Sequence, residues 1–150
     1  MAKTDEFNHF LETQNAVYGQ VLRELTAGRK RTHWMWFVFP QLRGLGHSAM
    51  AERYALASVA QAEQYLAHNV LGPRLVECTQ RILALPDPDP QAVFGYPDWM
   101  KFRSSMTLFS SCRAAPNVFR DALDRCFASV GDERTVRLLA MTPDSRSDLL

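Results

Sequence analysis

Nine polar residues in two stretches of the chain have the types and spacing to hold an anion or move a proton: Arg31, His33, Gln41, Arg43, His47 and Ser48, then Arg103, Ser104 and Thr107. Arg31 and Arg43 offer guanidinium forks that match phosphate or carboxylate. His33 directly follows a cationic run and a threonine, and its imidazole is a candidate acid, base or hydrogen-bond partner. His47 sits in Gly44-Leu45-Gly46-His47-Ser48, a loop leading into a helix, where free amides, the Ser48 hydroxyl and Arg43 suit an anion. The two glycines suit a tight turn with positive φ equally well. In the second stretch, helical spacing puts Arg103, Ser104, Thr107, Ser110 and Ser111 on one face and Trp99, Phe102, Met106 and Phe109 on another. Such a hydroxyl stripe lines a polar pocket if buried around a ligand, and otherwise solvates the helix or lets neighbours approach closely. Ser104 or Ser105 as a nucleophile would need a GxSxG-like elbow and an aligned base, and the sequence offers no such elbow.

Composition narrows the chemistry further. The 150 residues are 47% hydrophobic and 11% aromatic, enough for one packed core, expected over residues 1–142 with 143–150 as a frayed tail. Seventeen Lys and Arg against sixteen Asp and Glu leave a net charge of +1, so no global field favours nucleic acid or an anionic membrane. Arg29-Lys30-Arg31 is too small a patch to argue nucleic-acid binding, and such charges also suit a helix C-terminus. The polar opening Met-Ala-Lys-Thr-Asp-Glu gives no secretory signal, and the apolar run Trp34 to Phe39 is far too short to span a bilayer. Cys78, Cys112 and Cys126 are odd in number and lack metal-ligand spacing, so reduced thiols in a cytoplasmic protein are expected, with no metal and no cofactor.

Helix punctuation runs through most of the chain. Thr4 or Asp5 caps a first short helix, and a second carries Val17, Val21, Leu22 and Leu25 to a stop at Gly28. Ser48 starts a helix through Ala57, and Ser58 with Gln61 resembles a capping box for one ending near His68. Leu71, Leu75, Cys78, Ile82 and Leu85 share one face of a longer helix, with Arg74, Glu77 and Arg81 spaced for ion pairs. Pro86-Asp87-Pro88-Asp89-Pro90 is a rigid connector; Asp89 then caps a short turn to Phe94, and Asp98 a helix to about Cys112. Asn117 and Asp132 begin two more, the last ending near Met141.

Thr32 to Phe39 is apolar on every face and equally compatible with a buried strand by periodicity. Because no other segment offers a strand partner, a buried helix capped by Thr32 and ended by Pro40 is predicted. The resulting fold class is all-α: a compact single-domain orthogonal bundle of about seven to nine short helices.

The segments Arg29 to Gln41 (RKRTHWMWFVFPQ), Gly44 to Ser48, Leu71 to Leu75 and Lys101 to Phe109 (KFRSSMTLF) resemble a bacterial domain-of-unknown-function family often labelled calpastatin. The resemblance spans roughly residues 5 to 140 and implies an all-α fold of the kind seen in a mycobacterial member. It implies no activity, cofactor or catalytic residue. Calpastatin itself is a disordered inhibitor, whereas this composition suits a packed domain.

The functional expectation is a small anionic, nucleotide-like ligand held in a cleft between a His33 helix and an Arg103 helix. One alternative is an enzyme using His33 as acid or base with Arg43 and Arg103. Another is a protein-interaction module built on Trp34 and Trp36, although inside an apolar run both tryptophans more naturally fill the core.

Overall fold

A computed structural model describes residues 6–141. Thr4 and Asp5 and the tail from Pro143, to which caps and fraying were assigned, lie outside that range. Nine helices and no strand are present among the described residues: α1 (Asn8–Ala27), α2 (Met35–Val38), α3 (Ala49–Arg53), α4 (Val59–Ala67), α5 (Leu71–Leu83), α6 (Pro90–Phe94), α7 (Asp98–Ser110), α8 (Val118–Phe127) and α9 (Glu133–Met141). The all-α expectation holds.

Among the described residues, the N-terminal region forms one continuous helix of 20 residues from Asn8. It ends as the sequence implies. Gly28 has φ 77°, and the amides of Gly28 and Arg29 return to the carbonyls of Leu25 and Glu24. Ser48, Ser58 and Asp89 each accept a bond from an amide of the helix they open. Gln61 completes its turn by accepting from the Ala57 amide, one residue before the cap. Asp132 accepts from both the amide and the hydroxyl of Thr135 at the start of α9. Asp98, by contrast, is the first helical residue and caps nothing with its side chain, because its carboxylate is held by two lysines.

The aromatic segment is where the prediction fails. Only Met35–Val38 is helical; Thr32 caps nothing, and Arg31 to Trp34 instead wrap around one carboxylate. Glu24, 3% exposed on α1, accepts from the Arg31 amide (2.7 Å), the Thr32 amide (3.1 Å), the Thr32 hydroxyl (2.6 Å) and the Trp34 indole (2.9 Å), and also from Gln20. Buried amides without partners favour a helix; here a side chain 7 to 10 residues upstream supplies the partners instead. Burial pushes the Glu24 carboxyl upward, but the Thr32, Arg31 and Gln20 donors outweigh it and bring its pKa down to about 2. Gln14, also buried, performs the same service for the Phe37 carbonyl at 2.6 Å.

α5 buries Leu71, Leu75, Cys78 and Ile82, as their spacing requires. Glu77 pairs with Arg81 at 3.2 Å, while Arg74 turns to Asn15 and lies over the Tyr18 ring. α7 runs through the interior with Phe102 and every residue from Ser104 to Phe109 buried. Its hydroxyls are mostly satisfied within the helix: Ser104 donates to the Met100 carbonyl, Thr107 to Arg103, and Ser110 to Thr107. Ser105 Oγ is fully buried with no hydrogen-bond partner. Ser105→Ala is therefore expected to leave stability unchanged or to raise it by up to about 1 kcal/mol in urea denaturation. A loss of that size would show the hydroxyl to be satisfied after all.

Candidate functional site

A cleft of about 390 Å³ opens between the Gln41–Ala51 segment and the first half of α7, with Asp132 and Arg134 closing one side. Its floor and rim carry Trp36, Leu45, Tyr96 and Met100; its polar groups come from Gln41, His47, Ser48, Lys101, Ser104, Asp132 and Arg134. Two local features shape the loop wall. Gly44 has φ 102°, in the region that favours glycine, and a Cβ on Gly46 would lie 2.8 Å from that of Ala51. The parallel bridge between Leu42 and Leu56, closed by bonds of 2.7 and 2.9 Å, fixes where the loop leaves the core.

Of the nine residues nominated from sequence, Gln41, His47, Ser48 and Ser104 line this cleft. Ser48 spends its oxygen on the Ala51 amide, leaving its proton free to donate, and Ser104 spends its proton on Met100, leaving its oxygen free to accept. Arg31, His33 and Arg43 are exposed and do not line this cleft. Arg103 and Thr107 serve the scaffold. Arg103 donates to the Val130 carbonyl at 3.0 Å and stacks over Phe127, and Thr107 Oγ accepts from the Asp132 amide at 2.8 Å. Together they pin the loop after α8 against α7, which places Asp132 and Arg134 at the cleft. The hydroxyl stripe thus builds the wall from behind.

The cations that do face the cleft were not among those nominated. Lys101 Nζ lies 3.1 Å from Asp98 Oδ1 and 5.8 Å over the Trp36 ring. Asp98 Oδ2 is 2.8 Å from Lys30 Nζ. Burial works upward on the Asp98 carboxyl, but the bonds and charges of Lys30 and Lys101 win and hold it below the usual carboxylate range. Arg134 donates to the Gly44 carbonyl at 3.3 Å, tying α9 to the glycine loop. A signal existed for Lys101, three residues after Asp98 on one helix, but none for Arg134, which reaches a loop 90 positions away. No cluster of three or more metal-ligating side chains occurs among the described residues. None of the described helices is long and apolar enough to cross a membrane.

Fold and site together define an all-helical bundle with a small mixed aromatic and cationic cleft. Residues 4–139 match the family described as "protein of unknown function (DUF1810)", and the chain belongs to that family. It is similar in structure to the conserved hypothetical protein Rv1873 from Mycobacterium tuberculosis, with 47% identity, a TM-score of 0.89, and coverage of 91% of this chain and 98% of that one. Neither description carries the calpastatin label or an activity. No curated protein matches the chain.

Proposed function

We propose that the cleft binds a small anionic ligand of nucleotide-like size and chemistry. The observation that carries this is the meeting of Lys101, Arg134 and His47 beside Trp36 and the 80% exposed Tyr96 in one concavity. The volume lies in the range of small-molecule sites, roughly 300 to 1,000 Å³. Lys101 and Arg134 supply charge-assisted donors for phosphate or carboxylate, the aromatic rings offer a face to a planar group, and Asp132 can accept from an amine or hydroxyl. Asp132 uses only Oδ2 on Thr135.

Thermal melts of the protein against AMP, inorganic phosphate and phosphorylated metabolites test the reading. At a ligand concentration of about 100 times Kd, wild type gains about 2.7 kcal/mol of stability. Arg134→Ala and Lys101→Ala are expected to lose most of that gain while melting close to wild type without ligand. The reading is overturned if no member of the set shifts wild type, or if both variants shift as far as wild type does.

No observation favours the enzyme built on His33, which is exposed and outside the cleft. Trp34 is 1% exposed with its indole on Glu24, so it presents no face to a protein partner. A cytoplasmic location fits the same reading, supported by three cysteines of which none forms a disulfide.

A further inference from the structure

Lys30 carries a full charge into the protein interior. Its side chain is 6% exposed, its ammonium sits 2.8 Å from Asp98 Oδ2 and 5.3 Å over the Trp34 ring, and its amide donates to the Val93 carbonyl at 2.7 Å. It does not line the cleft. Its partner Asp98, however, is shared: the second carboxylate oxygen holds Lys101, which does. One negative charge thus stands between two ammonium groups, one inside the wall and one on its surface. Water screens the inner charge poorly, so the trio presents a net positive charge to the cleft.

We propose that Lys30 is a positioning residue for anion binding: by sharing Asp98 it leaves the charge of Lys101 only partly neutralised, and so available to a ligand. This rests on the ligand reading above. Were Asp98 paired to Lys101 alone, the pair would be neutral and an incoming anion would compete with a carboxylate for the ammonium. With Lys30 present, the carboxylate's second oxygen is already committed. The arrangement also explains why a lysine is buried at all, since an anchor for Trp34 requires no charge and burying one is costly unless it is paired.

Isothermal titration with AMP, using wild type, Lys30→Met, Lys30→Arg and Asp98→Asn at low salt, tests the proposal. Lys30→Met is expected to weaken AMP binding by roughly threefold to tenfold, and Asp98→Asn to tighten it by a factor of about two to five. Lys30→Arg should stay near wild type, and the differences should shrink at high salt. Both Lys30→Met and Asp98→Asn break the same buried ion pair and lower the melting temperature. A purely structural role for Lys30 would therefore weaken AMP binding in both, and changes of the same sign overturn the proposal. If Lys30→Met does not fold, Asp98→Asn decides alone: tighter binding supports the proposal and weaker binding overturns it. If wild type binds neither AMP nor inorganic phosphate, the ligand reading fails and this inference falls with it.

Discussion

Replacing Glu24 with alanine is expected to cost about 4 kcal/mol of folding stability, measured by urea or thermal denaturation. The carboxylate is the shared acceptor of two backbone amides, a threonine hydroxyl and the Trp34 indole, all between 2.6 and 3.1 Å. Alanine removes every one of these partners at once, and the indole, on a side chain only 1% exposed, has no water to turn to. Glu24→Gln keeps the size but presents an amide group to donors, and is expected to cost about half as much.

A pH series provides a second reading of the same residue. Glu24 titrates near pH 2 in the folded chain against an ordinary value of 4.5, so the folded state holds its proton less tightly than the unfolded one. Its contribution is complete above about pH 4.5 and disappears as the pH falls from there toward 2. The full shift corresponds to about 3 kcal/mol, and screening beside the exposed Arg31 and Thr32 reduces that to about 2. Wild type should lose stability more steeply than Glu24→Gln across that window. Parallel curves for the two proteins would remove Glu24 from the role of anchor.

Gly72→Ala is expected to destabilise the fold by about 3 kcal/mol or more. A Cβ at Gly72 would collide with the Leu66 carbonyl oxygen and lie 2.9 Å from its carbonyl carbon, and the obstacle is backbone of α4 rather than a movable side chain. The turn cannot relax easily, because the His68 imidazole Nδ1 accepts from the amides of Val70 and Leu71 at 3.1 Å and the Gly72 amide is bonded to the His68 carbonyl. Gly19→Ala is the control. There the added Cβ meets only the tip of Arg23 at 3.5 Å, in the middle of a long exposed helical turn, so the same change should stabilise by about 0.5 to 1 kcal/mol. Equal melting shifts for the two substitutions would refute the close approach of α4 and α5.

The candidate site was legible only in part. Gln41, His47, Ser48 and Ser104 were named from residue type and local pattern, and all four line the cleft. Arg31, His33 and Arg43 were named by the same reasoning and face elsewhere, since a dense polar run in sequence has no fixed direction in space. Arg103 and Thr107 were correctly placed on a shared face of α7, but that face meets the loop after α8 rather than a ligand. Lys101 lies close to Arg103 in sequence but on the cleft side of α7, and Arg134 carries no local signal because its relation to Gly44 exists only after α9 docks.

By itself the sequence determined the all-helical class, the buried face of α5, and the stops and caps at Gly28, Ser48, Ser58, Asp89 and Asp132, because these depend on residues within about one helical turn of each other. Tertiary structure alone decided the course of Arg31 to Trp34, the sharing of Asp98 between Lys30 and Lys101, and the meeting of Arg134 with the glycine loop. In each of those cases a polar group finds its partner on a different element. Hydrogen bonding and charge require that a partner exist, but only packing determines which residue it is.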